Sequence, residues 1–572
     1  MPSASEMIVQ FLEEAGVEYV FGIPGGGTGQ IFNFLHGKDD RIKTVLCRHE
    51  QTAAIMADAT GRATGKPAVV MGQGLFIGSN ATFGIMEAML SSSPMLILTD
   101  TSDGGVAMHA ANQSGAGEYG SIDLPSIFKS MTKYTTLATN PKEAAIGTQL
   151  AIKHSLSGRP GPAAVVMRSA AIGGDVDMES PPFIHDTAGY LNTSKPQSAP
   201  QDIERAVEIL SQSSRPVLVA GNGVHLSKSH AQLQQLAEMW GMPVATSYKG
   251  KSAIAETHPL SLGMVGVYGQ DAANKAVGEA DTVVVVGAKL TPQDTVRERP
   301  NTFDPRRQKI IQIDIDDRNA GWTFPLELGL IGDAGNILSQ LVEASSQAAS
   351  STSSKRQSWT DTVPQMQQDP GFFNDPEMHR DSSPVKPQRL VAQLQEHLDP
   401  STIFALDAGN NRTWMAHFYK ARQANTFFCP GGTAGMGWAL PAAVGLKLVH
   451  PDRPVAAVTG DGGYMMVVNA LSTAVQYDLP ILCFVFNDGA LGMVRQHQPE
   501  DRRIASEFLP TDNAAVARGF GAFGVQVSDS KDIPEAIRQA QASGLPSVID
   551  IVVDRGPSPD DWRADARRAG ET

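Results

Sequence analysis

One pattern recurs along this chain: a short apolar run, a small or polar turn, then a helix-like stretch. Apolar runs fall at residues 69–71, 95–98, 163–167, 217–220, 282–286, 310–315, 455–458 and 481–486. Runs this apolar suit strands buried on both faces of a parallel sheet. Between them, residues 51–64, 203–211, 230–240 and 467–477 read as helices. The alternation predicts an α/β protein with mainly parallel sheets flanked by helices. A length of 572 residues predicts about three such domains. Two seams divide the chain. Residues 173–200 are rich in Gly, Pro, Ser and Asp, and 345–354 are nearly all Ser and Ala, a composition expected of linker. The expected domains are 1–180, 190–345 and 370–572.

Composition excludes some functions. A formal net charge of −14 argues against a nucleic-acid surface, which needs surplus Lys and Arg. No apolar run reaches the ~20 residues of a membrane span. Residues 1–10 lack the basic flank and apolar stretch of a signal peptide, so a reducing cytoplasm is expected. Cys47, Cys429 and Cys483 are far apart and suggest neither a zinc site nor a disulfide framework.

The chemistry begins at Thr459-Gly460-Asp461-Gly462-Gly463, where an apolar run ends in a Gly-flanked acid and a helix-like stretch follows. Glycines let backbone approach a ligand, and successive N–H groups at a helix start favour an anion. Mg²⁺ is typically held by one or two carboxylates plus phosphate oxygens. A second acid follows the run 481–486, in Asn487-Asp488-Gly489-Ala490. A strand–helix–strand unit brings two such strand ends side by side, at the edge where α/β folds bind ligands. Asp461 and Asp488 are thus expected to share a cation. The alternative is that Asn-Asp-Gly is simply a turn.

Gly460-Asp461-Gly462, with Asp488 27 residues after Asp461, resembles the cofactor signature of thiamine-diphosphate enzymes, in the acetolactate synthase and pyruvate oxidase-like branch. The resemblance implies that Asp461, Asp488 and the carbonyl of Ala490 hold Mg²⁺ on the cofactor diphosphate, beside Gly462 and Gly463. Most members have Asn where this chain has Asp488. Val20-Phe21-Gly22-Ile23-Pro24-Gly25-Gly26 and Cys47-Arg48-His49-Glu50 resemble the family's pyrimidine-binding domain. They imply that Glu50 is the activating acid on N1′ of the aminopyrimidine; by itself Glu50 reads first as an acid at a surface helix start. Pro430-Gly431-Gly432-Thr433-Ala434-Gly435-Met436 resembles the stretch in which an apolar residue wedges beneath the cofactor. It implies Met436 as the wedge and the carbonyl of Ala434 as acceptor for the 4′-amino group. Asn410 and Asn411 match positions touching the diphosphate, and Met493 and Val494 positions near the thiazolium.

By the same resemblance the N-terminal domain binds pyrimidine, the C-terminal domain binds diphosphate and Mg²⁺, and the central domain is non-catalytic. In relatives the central domain holds FAD, ADP or nothing. Lys289 stands where nucleotide binders carry Arg, and Lys lacks the planar fork, which argues against FAD. The implied assembly is a homodimer or homotetramer with active sites between subunits. The implied reaction makes or breaks a carbon–carbon bond of a 2-oxo acid; a 2-hydroxyacyl-CoA lyase or an acyl-CoA or 2-oxo acid decarboxylase is the alternative. A silent binding subunit is a further reading, against which Glu50, Asp461 and Asp488 stand.

The departures lie on the substrate side. The family's Ser-Gly-Pro-Gly loop is replaced by Gly72-Gln73-Gly74-Leu75-Phe76-Ile77-Gly78-Ser79-Asn80, so Phe76 either narrows the donor pocket or fills core. His497 replaces the Trp that selects a larger acceptor in the anabolic enzymes, and either recognises a polar acceptor or faces solvent. The substrate-loop Gln aligns with Gly120, with His109, Gln113 and Glu118 nearby. Gln73, Phe76, Gln113 and His497 are therefore the candidate substrate pocket. Arg563, Arg567 and Arg568 end the chain as a solvated helix end or as a cationic lid.

Overall fold

The computed structural model describes all residues except 103–108, 110, 111, 119, 193 and 566–572. It contains three six-stranded sheets, parallel throughout. The first has the order β2-β1-β3-β4-β6-β5, built from β1 (Tyr19–Ile23), β2 (Lys43–Leu46), β3 (Ala68–Gly72), β4 (Met95–Thr101), β5 (Tyr134–Ala138) and β6 (Pro162–Arg168). The second comprises β7 (Pro216–Ala220), β8 (Val244–Thr246), β9 (Ser261–Met264), β10 (Thr282–Val286), β11 (Lys309–Asp314) and β12 (Leu328–Ile331), in the order β12-β11-β10-β7-β8-β9. The third comprises β13 (Ile403–Leu406), β14 (Phe427–Phe428), β15 (Val455–Gly460), β16 (Leu482–Asn487), β17 (Phe523–Val527) and β18 (Ser547–Val552), in the order β14-β13-β15-β16-β18-β17. The α/β architecture expected from the alternation is the observed one.

The first and third units share a core. The helix Glu50–Thr64 lies against the helix Ala439–Val449 so closely that a Cβ on Gly445 would stand 2.8 Å from the Met56 carbonyl. Beside this contact, Arg62 bonds Asp58 (2.7 Å) and Glu87 (2.8 Å), and the Trp438 indole N–H donates to Asp58 at 2.8 Å. Such a helix–helix seam fixes the first unit relative to the third.

Two expectations need correction. Residues 345–354 are not linker: they belong to the helices Ala334–Ser351 and Ser353–Thr360. Ile337, Leu338, Leu341, Ser345 and Ala349 line one buried face at helical spacing, and the small residues allow close packing. The helix expected over 467–477 is present but shorter, Ala470–Gln476. The helix Asp461–Met466 ends first and Ala470–Gln476 starts anew. Among the described residues no helix is long and apolar enough to cross a membrane.

Candidate active site

β15 and β16 are neighbours, in a register that sets Gly460 beside Phe486. Asp461 opens the helix Asp461–Met466 directly after β15, with Gly462 and Gly463 in its first turn. Asp488 follows β16, where Asn487 is anchored by donating to Asp550 at 2.9 Å. Parallel pairing therefore brings the two acids to one sheet edge. Burial raises the Asp461 pKa to about 7, with the negative charge of Asp488 adding to it. Burial likewise raises Asp488 to about 6. Two carboxylates that resist ionisation side by side are the kind of pair a shared cation would relieve.

The polar atoms around them fit that reading. Asp461 Oδ1, Asn410 Oδ1 and Asn411 Oδ1 are buried without a hydrogen-bond partner among the described residues. Buried polar atoms are rarely left so, and a bound ion or ligand is one standard explanation. Asn410 Nδ2 donates to Gln496 at 2.9 Å and Asn411 Nδ2 to the Ala408 carbonyl at 3.0 Å, which aims both amide oxygens. A Cβ on Gly492 would collide with Asp488 Oδ2, so backbone must approach the acid there. Ala490 is buried, and its N–H donates to Asp488 Oδ1 at 3.1 Å. These donors and acceptors suit a hard cation bridged to a diphosphate.

The loop 430–437 is held by two buried acids. Asp407, at the end of β13, accepts the N–H groups of Gly437 (2.9 Å) and Trp438 (3.3 Å) and the Thr459 hydroxyl (2.9 Å). Glu87, in the helix Thr82–Ser91, accepts the N–H groups of Gly431 (3.1 Å) and Thr433 (2.7 Å). Burial opposes the charge of Glu87, but Arg62 and Lys249 hold its pKa down at about 2. Between these anchors Ala434 sits at φ +52°, a left-handed conformation a non-glycine residue adopts at a cost. Met436 is half-buried, and Gly435 lies against the Phe83 ring. Asp407 and Glu87 escaped the sequence reading. A lone Glu in an apolar helix was the available signal for Glu87.

Glu50 is the first residue of its helix, with His49 as N-cap, and it is buried. Its carboxylate accepts from Asn80 Nδ2 at 2.9 Å. Burial removes the surface-acid reading. Among the described contacts within one chain, none joins Glu50 to the Asp461–Asp488 pair.

On the substrate side, Gln73 donates to Gln113. Phe76 is 41% exposed and so does not fill core. His497 is exposed, with Nδ1 at 2.8 Å from the Met493 carbonyl and Nε2 at 3.0 Å from Asp560. Gly120 lies in a turn at φ +81°. Val494 is half exposed, while Met493 and Ala434 line a cavity of about 890 Å³ that runs between the domains. Lys289 lines the same cavity and donates to the Leu90 carbonyl at 3.3 Å. Arg563 is paired with Asp560 (3.1 Å) and Asp565 (2.8 Å) and lies over Tyr268, so it is not a free solvated cation; Arg567 and Arg568 lie outside the described residues.

Three parallel α/β units with an acid pair, orphaned amide oxygens and a strained loop at one sheet edge define a diphosphate-cofactor enzyme. The chain belongs to the thiamine pyrophosphate enzyme family. The family's N-terminal TPP-binding domain matches residues 2–114, its central domain 203–341 and its C-terminal TPP-binding domain 407–551. A probable acetolactate synthase large subunit of Methanocaldococcus jannaschii is 33% identical over 96% of this chain and 92% of its own length. Acetolactate synthase large subunits of Corynebacterium glutamicum and of Escherichia coli (isozyme 3) are each 30% identical, over 96% and 97% of this chain and 87% and 95% of their own lengths.

Proposed function

We propose that the chain is a thiamine-diphosphate- and Mg²⁺-dependent carboligase that acts on a 2-oxo acid, in the manner of the acetolactate synthases it resembles. The observation that carries this reading is the buried Asp461–Asp488 pair with the unpartnered amide oxygens of Asn410 and Asn411 beside it. The bound cofactor supplies a centre that stabilises carbanion character, so that a 2-oxo acid can lose CO₂ and pass its remaining carbons to a second carbonyl.

The chain's own residues bind and orient. Asp461, Asp488 and the Ala490 carbonyl hold Mg²⁺; Asn410, Asn411 and the backbone of Gly462 and Gly463 meet the diphosphate. Met436 would pack against the cofactor, and the Ala434 carbonyl would accept from its 4′-amino group. Glu50, kept from water, would hold a proton for N1′ of the aminopyrimidine. Met493 and Val494 flank the thiazolium, while Gln73, Gln113, Phe76 and His497 face the substrate. Glu50 is supplied by a second copy of the chain, so the reading requires at least a homodimer. The central cavity has Lys289 in place of an Arg fork, and the reading assigns no flavin to it. Free thiols at Cys47, Cys429 and Cys483 agree with a reducing cytoplasm.

The test is C2-proton exchange of the bound cofactor. Glu50→Gln should slow it by at least about a hundredfold while leaving cofactor bound. Unchanged exchange in that variant would remove Glu50 from the mechanism.

A further inference from the structure

An amide can offer a ligand either its oxygen or its NH₂, and at Asn410 the choice is made outside the site. Asn410 Nδ2 donates to Gln496 Oε1 at 2.9 Å, and Gln496 Nε2 donates to Asp560 Oδ2 at 3.1 Å. A carboxylate only accepts, so Gln496 turns its NH₂ to Asp560 and its oxygen to Asn410. Asn410 then gives its NH₂ to Gln496, and its own oxygen is left buried and without a partner among the described residues. Gly492 marks where this leads: a Cβ there would collide with Asp488 Oδ2 and stand 3.4 Å from Asn410 Nδ2. Two amides in series thus carry the polarity of one carboxylate to the acid pair.

Asp560 is itself firmly held. Its side chain is 25% exposed, and Arg563 donates to its Oδ1 at 3.1 Å. His497 Nε2 lies 3.0 Å from Asp560 Oδ2, with Nδ1 2.8 Å from the Met493 carbonyl. The turn Pro559–Trp562 that carries Asp560 is capped by the Ser558 hydroxyl, which accepts the Asp560 N–H at 3.2 Å. Its last residue, Trp562, stacks on His417 at 4.0 Å, and His417 belongs to the helix Asn410–Phe418. Downstream, the Ala564 N–H donates to the Val267 carbonyl at 2.8 Å, and Asp565 pairs with Arg297 of the central domain. The turn is therefore fixed to the same helix that presents Asn410.

We propose that Asp560 is a positioning residue for the cofactor site: through Gln496 it holds the Asn410 amide with its oxygen toward the Asp461–Asp488 pair. An oxygen there is drawn to a hard cation and repelled by phosphate oxygens, so Asn410 meets the metal diphosphate from its Mg²⁺ side. This rests on the cofactor reading above and adds what sets the amide. Asp560 acts on that amide through Gln496, from the far end of the chain.

The experiment measures cation and anion binding separately on the full-length protein. Mn²⁺ binding without cofactor is followed by electron paramagnetic resonance, and metal-free pyrophosphate binding by calorimetry. The proteins are the parent, Asp560→Asn, Gln496→Met and the double variant. Each single substitution frees the Asn410 amide to turn, and should weaken Mn²⁺ binding by about fivefold while leaving pyrophosphate binding no weaker. Gln496→Met changes no charge, so the loss of Mn²⁺ affinity there cannot come from a lost carboxylate. Because the two residues act in series, the double variant should bind Mn²⁺ no worse than the weaker single. Thiamine diphosphate affinity at saturating Mg²⁺ should fall in the same order. Unchanged Mn²⁺ affinity in either single variant, or losses that add in the double, overturns the proposal. So does a joint loss of Mn²⁺ and pyrophosphate binding, which would mean that the turn only braces the domain. A parent that binds neither Mn²⁺ nor thiamine diphosphate with Mg²⁺ would instead sink the cofactor reading itself, and this proposal with it.

Discussion

Asp461 and Asp488 repel each other in a site that water scarcely reaches, and that repulsion is measurable before any cofactor is added. An unfolded chain releases both protons near 3.8, whereas burial holds them on the folded chain up to about 7 and about 6. Between those values the folded state binds more protons, so raising the pH weakens folding. The penalty is absent below the ordinary value of 3.8 and complete above about 7. Asp461→Asn removes it. The metal-free variant should therefore melt higher than the metal-free parent at pH 8, by up to a few kcal/mol of stability, and the gap should shrink as the pH falls and close near pH 3.8. Thermal melts at the two pH values decide this. Adding Mg²⁺ and thiamine diphosphate should reverse the order at pH 8, because only the parent gains a ligand. A parent no less stable than the variant without metal would mean that the two acids do not share a desolvated site.

At the scale of elements, the sequence exposed the middle of each sheet and hid the margins. The runs 69–71, 95–98, 282–286 and 455–458 lie in β3, β4, β10 and β15, interior strands that are buried on both faces. Edge strands such as β2, with half-buried Lys43 and Thr44, or the two-residue β14, carry no comparable apolar signal. The site followed the same logic. Asp461 and Asp488 were legible because each ends an interior strand with glycine beside it. Asp407 also ends an interior strand, β13, but its role is to gather N–H groups from a distant loop, and no local pattern encodes that. It is the element on which the loop geometry depends. Asp407→Asn places an N–H₂ against the donors of Gly437, Trp438 and Thr459, and should cost about 3–5 kcal/mol with loss of cofactor affinity. Thr459→Val removes one donor and should cost only about 1 kcal/mol. Urea denaturation of the two variants, with cofactor titration, checks the ordering; equal costs would mean that Asp407 does not clamp the loop.

For the whole molecule, the proposed site is one that draws on two chains. Glu50 lies in the first domain and bonds Asn80, while the acid pair lies in the third. Several apolar side chains near the acid pair are exposed: Met465 and Met466 follow Asp461, and Phe508, 41% exposed, has its N–H on the Gly489 carbonyl at 2.8 Å. Leu509 beside it is 88% exposed. Exposed apolar side chains beside a polar site suit a face that another protein surface covers. A second copy related by two-fold symmetry would cover it twice over, each copy lending Glu50 to the other's acid pair. Mixed subunits test this directly. Glu50→Gln and Asp461→Asn proteins, each inactive alone, are unfolded together and refolded as a mixture. If every site draws Glu50 from one chain and Asp461 from its partner, each mixed dimer has one intact site and one doubly altered site. Random pairing then restores about a quarter of the sites. If a site were built within one chain, every site in the mixture would carry a defect and no activity would return. Activity measured against the fraction of mixed dimers, isolated through two affinity tags, separates the outcomes: a straight line through the origin supports shared sites, and a flat line at zero excludes them.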